Sequence, residues 1–204
     1  VTRIAYSKDM TKSKLDRLIE IANRLGSIRT DISRRFGSLA GLEYKSDRAV
    51  RDEWLKDDVQ FNVPARLWKA TLADVWADIV MYREAAKSNV RKRIRSHTED
   101  SAEQKRLYLL LKANQWDEDP YLRRMMRKYF KHGHTTVDNQ IVLYTGCYTA
   151  FEHGGKAWID VMSLEHGDRI AISLNTTVQP KGTLRLILRN GKIEVHYAVE
   201  EKLV

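Results

Sequence analysis

Apolar positions along the first two thirds of the chain recur every three to four residues, which is the spacing of one buried helix face. This period predicts helices from Thr11 to about residue 36, over 47–56, from Pro64 through a cationic run ending near residue 95, over 101–113, and from Asp119 onward. Trp68, Leu72 and Trp76 mark the buried stripe of the third and longest helix. A proline suits the first position of that helix, because its missing N–H would have no partner there.

Beyond Asn139 the pattern changes to short β-rich runs separated by glycine turns. The runs cover residues 141–144, 148–151, 158–162, 170–174, 184–188 and 193–199. Asn190-Gly191 is the strongest hairpin signal, since both residues tolerate the positive φ of a type I′ turn. The extended opening over 1–6 adds one more candidate strand. The sequence therefore predicts an α+β chain whose strands form a small barrel or sandwich.

Charge divides the chain in the same place as secondary structure. The 204 residues carry a net charge of +9, from 36 Lys and Arg against 27 Asp and Glu. Residues 1–135 hold 29 of the cations and 19 of the carboxylates, whereas 136–204 hold 7 and 8. No apolar run approaches the roughly 18 residues that a membrane span needs, and the N-terminus shows no leader pattern. We therefore expect a soluble, intracellular protein whose helical part is strongly basic.

Candidate catalytic and metal-binding residues are few. His132 and His134 are two possible metal ligands, but a site needs three or four and nothing nearby supplies the others. Cys147 and His153 lack an orienting carboxylate. The run 154–156 (GGK) lacks the spacing of a phosphate-binding loop. The sequence thus predicts no catalytic residue, no metal site and no cofactor.

The basic helices carry the most informative chemistry. Rows of Lys and Arg neutralise backbone phosphates and release counterions, and 17 of the 29 cations in 1–135 are Arg, whose planar fork suits phosphate. A solvated helix face is the ordinary alternative. We predict a polyanion-binding surface if these cations lie together on one surface, for example in a trough between the helices and the strands. The candidate residues are Lys87, Arg91, Lys92, Arg93, Arg95, Arg123, Arg124, Arg127, Lys128 and Lys131. Tyr6, Tyr44, Trp54 and Trp116 are further candidates for stacking on unpaired bases.

The order of parts resembles a known family. A short first strand precedes basic helices, a helix opening at 63–70 (VPARLWKA), a loop at 132–141 (HGHTTVDNQI) and strands ending at 193–197 (IEVHY). Together these look like the N-terminal lobe of TnpB-type transposon-encoded RNA-guided nucleases and the compact type V CRISPR effectors. The resemblance implies a first wedge strand over 1–10, a helical recognition domain over 11–135 and an oligonucleotide-binding-like wedge β-barrel over 136–204.

By resemblance, the chain would hold a guide RNA scaffold and the guide–target heteroduplex, with double-stranded target DNA as the second ligand. Asn62, Arg66 and Lys69 match the positions that would read the short motif beside the target. The RuvC-like nuclease that follows this lobe in the family is missing from the sequence. The chain would then have no enzymatic activity, although a full-length parent would be an RNA-guided endonuclease. The family also implies a bacterial or phage protein that works in the cytoplasm, at the nucleoid.

Two other hypotheses remain open at this point. One is a nuclease-free DNA-binding regulator or transposon accessory factor that needs no guide. The other is a protein-interaction module whose cationic helices dock on an acidic partner. Co-purified RNA distinguishes the first from a guide-binding lobe, and binding to unrelated nucleic acids at low salt tests the second.

Overall fold

The computed structural model describes residues 1–38, 41, 44–130 and 135–199. Within these ranges five helices lie between the first and second strands of the chain. The helices are α1 Lys12–Phe36, α2 Asp47–Lys56, α3 Ala65–His97, α4 Ser101–Lys112 and α5 Pro120–Tyr129. The strands are β1 Thr2–Lys8, β2 Gln140–Leu143, β3 Tyr148–His153, β4 Lys156–Met162, β5 Arg169–Leu174, β6 Leu184–Arg189 and β7 Lys192–Ala198. The predicted α+β class is confirmed.

Side-chain caps fix the start of most helices. Thr11, Ser46, Asp100 and Asp119 each accept a hydrogen bond from a backbone N–H in the first turn of α1, α2, α4 and α5 respectively. These bonds satisfy donors that the helix itself leaves open. Helix α3 differs, because Pro64 is its N-cap residue and no side chain caps it. Proline therefore stands one position earlier than the sequence predicts.

The strands form one antiparallel sheet in the order β2-β6-β7-β1-β5-β4-β3. Strand β1 joins its two halves: Thr2 to Tyr6 pair with β7, whereas Ser7 and Lys8 pair with β5. Strands β2 and β3 lie at the two edges, so the hydrogen-bonded ladder of the described residues stays open and does not close into the predicted barrel. The predicted hairpin turn is confirmed, since Asn190 and Gly191 have φ values of 52° and 72° between β6 and β7.

One hydrophobic core joins the helices to the sheet. It contains Leu18 and Leu25 of α1, Val75 of α3, Ile141 of β2 and Val195 of β7, all nearly inaccessible to solvent. Burying each such aliphatic side chain contributes about 1.5–3 kcal/mol. The proximal part of α3 packs on α1, α2 and β2, and the remainder packs on α4 and α5. No helix among the described residues combines the length and apolar character needed to cross a bilayer.

An ion cluster at the junction of helices and sheet complements this core. Asp74 of α3 accepts hydrogen bonds from Arg29 of α1 at 2.8 Å, Arg185 of β6 at 2.5 Å and Gln140 of β2 at 3.4 Å. The Asp74 side chain is only 9% exposed and that of Arg29 only 5%. Because both charges are withdrawn from water, each depends on the other for compensation.

Candidate nucleic-acid interface

Helix α5 lies antiparallel beside the C-terminal part of α3. Near one end of the contact, Arg93 Nε donates a hydrogen bond of 3.0 Å to the Tyr129 hydroxyl. Near the other, the rings of His97 and Tyr121 stack with their centroids 3.6 Å apart and their planes 5° from parallel. Leu122 and Met126 bury the inner face of α5 in the core. The Arg and Lys side chains of α5 are therefore turned outward.

Eight of the predicted cations are exposed on this pair of helices, and we name them the α3–α5 cationic surface. They are Arg91, Lys92, Arg93, Arg95, Arg123, Arg124, Arg127 and Lys128. None of them has a carboxylate partner among the described residues. From residue 85 to the end of α3, and throughout α5, the sequence contains no Asp or Glu. The surface therefore keeps its full positive charge.

Several arginines elsewhere on the helices are paired with carboxylates. Arg24 pairs with Glu20 on α1, and Arg34 and Arg35 share Asp31. On α2, Arg48 and Arg51 both pair with Asp52, whose pKa is lowered mainly by the hydrogen bond from Arg51. This contrast distinguishes the α3–α5 cationic surface from the ordinary solvated helix face, in which charges of both signs alternate.

Aromatic rings lie under the cations of this surface. The Arg124 guanidinium is 6.0 Å from the Tyr121 ring centroid, and Lys128 Nζ is 5.8 Å from that of Tyr129. The hydrogen bond from Arg93 lowers the pKa of Tyr129. Both tyrosines are half-buried and pack against the core. Tyr121 precedes Arg124 by three residues and Tyr129 follows Lys128 by one. This spacing became informative only when α3 was seen to lie alongside α5.

A groove between α3 and α4 extends the positive charge. Lys105 and Lys112 lie there with Arg91, beside Tyr108 and the exposed side chain of Leu109. These two lysines were not among the residues predicted from the sequence.

Lys87 does not belong to the surface. Its side chain is 7% exposed, and Nζ donates to Glu84 at 2.8 Å and to the Asn114 amide oxygen at 3.1 Å. The prediction that it lies in the outward cationic row is wrong, because its position on α3 faces the turn after α4. Lys131 lies outside the described residues.

The three predicted motif-reading residues lie at the opposite end of α3. Asn62 and Arg66 are exposed and Lys69 is half-buried. Asn62 has a φ of 51°, and its carbonyl accepts a 2.7 Å bond from Arg24. Arg66 Nη1 donates to the Gly146 carbonyl at 2.8 Å, and Lys69 Nζ lies 5.6 Å from the Trp68 ring. The structure does not bring these residues to the α3–α5 cationic surface, because 33 helical residues at 1.5 Å each span about 50 Å.

Arginines described between the helices and the strands have local partners. Arg29 and Arg185 both give a hydrogen bond to Asp74, and Arg17 of α1 pairs with Asp168 next to β5. Asp78 adds a further carboxylate there, with its pKa raised by partial burial and by Asp74. The positive charge instead collects at the far end of α3.

The candidate nucleophile and metal ligands from the sequence are Cys147, His132 and His134. Cys147 is buried, and burial raises the pKa of its thiol, opposite to the shift that activates a nucleophile. The described residues contain no group of three or more His, Cys, Asp or Glu side chains placed to hold a metal ion. His132 and His134 lie outside the described residues.

Most of the aromatic candidates for base stacking belong to the interior. Trp54 and Trp116 are core residues, at 5% and 0% exposure. Tyr44 packs edge-on against Phe36 at 5.1 Å. Tyr6 of β1 is 42% exposed and remains available to a ligand.

Comparison with known proteins gives no family assignment: no protein-family model matches the chain, and no curated protein matches it either.

Proposed function

We propose that the chain binds nucleic acid through the α3–α5 cationic surface, as the guide- and target-binding lobe of an RNA-guided DNA-targeting protein. The observation that carries the proposal is the set of eight exposed cations without a carboxylate partner among the described residues. Leaving like charges together without compensation costs stability, so a polyanion that offsets their repulsion is the natural ligand. Phosphate contacts of this kind supply affinity without sequence readout.

The dimensions of α3 suit an extended duplex. About 50 Å of helix corresponds to roughly 15 base pairs at 3.4 Å each. A duplex lying along α3 would meet the cationic surface at one end and Arg66 and Asn62 at the other. In RNA-guided recognition, base pairing reads the target and the protein reads only a short adjacent motif. Separated positions for backbone contacts and for motif contacts fit that division.

A matched pair of triple variants tests the surface. We expect Arg95→Ala/Arg124→Ala/Arg127→Ala to weaken duplex binding and to reduce the slope of log K against log salt by about 0.9 for each phosphate that the variant no longer neutralises. The control, Arg34→Ala/Arg35→Ala/Arg48→Ala, removes three exposed arginines that are already paired with Asp31 and Asp52. All six side chains are exposed, so both variants should fold. Equal weakening in the two variants, or a flat salt response of the wild type, would overturn the proposal.

Co-purified RNA separates the guide-binding lobe from the nuclease-free DNA-binding regulator. A guide-binding lobe retains a discrete structured RNA through purification and binds target DNA only with it. Binding of DNA by the RNA-free protein at the same affinity would support the regulator. If a folded protein bound neither RNA nor DNA at low salt, the surface would instead serve an acidic protein partner.

A further inference from the structure

A second aromatic surface lies on the sheet, away from both the core and the α3–α5 cationic surface. Phe151 of β3 and Trp158 of β4 are directly opposite each other, with ring centroids 6.2 Å apart and planes 21° from parallel. Alternation along the strands puts Tyr148 and Ala150 with the core, which they contact, and turns Phe151 and Trp158 to the other face. Both of these rings are half-buried.

Hydrogen bonding and ring contacts hold Trp158 in place. Its indole Nε1 donates to the His153 carbonyl at 3.2 Å, and the His153 ring meets the indole edge-on at 5.9 Å. The indole N–H is therefore satisfied within the hairpin, and a ligand would meet the π-face of the ring. A ring fixed in this way loses little further conformational entropy on binding.

The same face carries lysines and one further aromatic ring, and Glu194 of β7 lies opposite Tyr6 there. The row formed by Phe151 and Trp158 continues through Ser173 of β5 to Lys8 of β1. Lys156 precedes Trp158 by two residues and is exposed, and Tyr6 precedes Lys8 by two residues and is 42% exposed. Period two puts each on the same face as its neighbour. Asp160 and Arg169 also belong to this face, where Arg169 donates to the Asp160 carbonyl at 3.3 Å.

We infer that this face, Phe151 and Trp158 with Tyr6, Lys8 and Lys156, is a platform on which unpaired nucleobases stack. Sheets that display aromatic rings with cations beside them bind single strands in this way, because every base has a π-face and the cations hold the backbone. A cross-strand pair that only stabilised the hairpin would need neither the exposed Tyr6 nor the lysines. The inference rests on the proposed function for its class of ligand, and names unpaired strands as the form recognised here.

Tryptophan fluorescence tests the platform directly. Of the five tryptophans, Trp54, Trp68, Trp76 and Trp116 are at most 6% exposed, and only Trp158 is half-buried. We expect a short oligouridylate to quench the emission on saturation, and a hairpin RNA of equal length without unpaired ends to leave it unchanged. Trp158→Phe should keep the affinity, because phenylalanine still stacks, and should lose most of the quenching.

Affinity measurements complete the experiment. Trp158→Ala and Phe151→Ala should each weaken oligouridylate binding by roughly tenfold or more. Met81→Ala is the control, since Met81 is 56% exposed on α3 and its loss should change nothing. Circular dichroism confirms that each variant folds, and Trp158→Phe covers the case in which an alanine variant does not. Unchanged emission at saturating oligouridylate, or wild-type affinity in a folded Trp158→Ala, would overturn the inference.

The proposals for the two surfaces can be tested independently of each other. The Arg95/Arg124/Arg127 variant should lose salt-dependent duplex binding and keep the quenching by saturating oligouridylate at low salt. Trp158→Ala and Phe151→Ala should keep the salt-dependent duplex binding and lose affinity for oligouridylate. Loss of both properties in either set of variants would mean that the chain has one common site, and the platform as described here would be wrong.

Discussion

Gly26 is the point where the segment after the helices crosses α1. A Cβ atom built at Gly26 would lie 2.7 Å from the Asp138 Cα and 3.1 Å from the Val137 carbonyl oxygen. Nearby, the Thr30 hydroxyl donates to the Thr135 carbonyl at 2.8 Å. A glycine inside a helix is otherwise unfavourable by about 1 kcal/mol relative to alanine. Close backbone packing is the reason for it here.

We predict that Gly26→Ala destabilises the protein, although it improves helix propensity. The methyl group meets backbone rather than a side chain that can move away, and such overpacking costs typically about 1–3 kcal/mol. Urea unfolding gives the change in free energy. Ser27→Ala, at an exposed position next in sequence, is the control and should be near neutral. A higher unfolding free energy for Gly26→Ala would mean that residues 135–138 do not cross α1 here.

Asp119 combines a helix cap with an ion pair. Its carboxylate accepts a bond of 2.9 Å from Leu122 N and one of 2.6 Å from Arg106 Nη2. Burial acts to raise the pKa of Asp119, but these two bonds outweigh it and the pKa lies below its ordinary value of 3.8. An aspartate with a lowered pKa stabilises the folded state above its unfolded pKa and loses that contribution as the pH falls through the folded value.

We therefore predict that Asp119→Asn lowers the free energy of unfolding at neutral pH and that the difference disappears well below pH 3.8. Asparagine retains the cap acceptor, so the charge attraction to Arg106 is what the comparison measures. Urea unfolding of both proteins at the two pH values checks it, since changes at other carboxylates cancel. A difference that persisted in acid would assign the effect to the cap instead.

At the scale of elements, α3 carries like charges that lower its own stability. Arg91 and Arg95 stand four residues apart and are both exposed, so two cations without a carboxylate partner among the described residues share one face of the helix. Like charges at this spacing destabilise a helix by about 0.2–0.5 kcal/mol per pair. The paired arginines of α1 and α2 carry no such cost. An arrangement that disfavours the isolated helix is typical of a binding surface.

Arg91→Glu should accordingly raise stability and weaken nucleic-acid binding together. The new glutamate precedes Arg95 by four residues, the favourable orientation, and replaces a repulsive pair with an attractive one. We expect a gain of roughly 1 kcal/mol or less by urea unfolding, with reduced duplex affinity in a gel shift. Arg34→Glu is the contrasting control, because it breaks the pair with Asp31 and should destabilise the protein. A loss of stability in Arg91→Glu would show that Arg91 has a partner.

The helices and the hairpin turn could be predicted from the sequence, but the tertiary contacts between elements could not. Helices α1 and α2 begin and end within one residue of the prediction, because amphipathic period and cap residues are local signals. Asn190-Gly191 specified its turn for the same reason. The burial of Lys87 could not be foreseen, since its partner Asn114 is 27 residues away. Whether the strands close depends on contact between β2 and β3, which their individual patterns do not encode.

At the scale of the whole molecule, Asp74 connects the helical layer to the sheet. It is the shared acceptor for Arg29 on α1 and Arg185 on β6. The Arg29 side chain is 5% exposed and its Nε and Nη2 atoms have no hydrogen-bond partner among the described residues. Removing the carboxylate would therefore leave a buried cation without compensation.

We predict that Asp74→Asn lowers the free energy of unfolding by about 3–5 kcal/mol. Arg185→Gln should have a much smaller effect, because the Arg185 side chain is 40% exposed and leaves Asp74 still paired with Arg29. Urea unfolding of both variants tests the difference. Equal losses would mean that Asp74 acts through the sheet alone and that burial of Arg29 contributes little.

The position of β1 has a consequence for the biogenesis of the sheet. This strand leaves the ribosome ahead of every described helix, yet the neighbours that flank it, β5 and β7, are synthesised after those helices. Until then, the nascent chain has helices but no completed sheet, and β1 waits with both edges unpaired. A molecule deprived of β1 would keep two half-sheets with facing vacancies, each able to accept the same strand from a neighbouring copy. Strand exchange is thus the characteristic way in which this fold would oligomerise when assembly goes wrong.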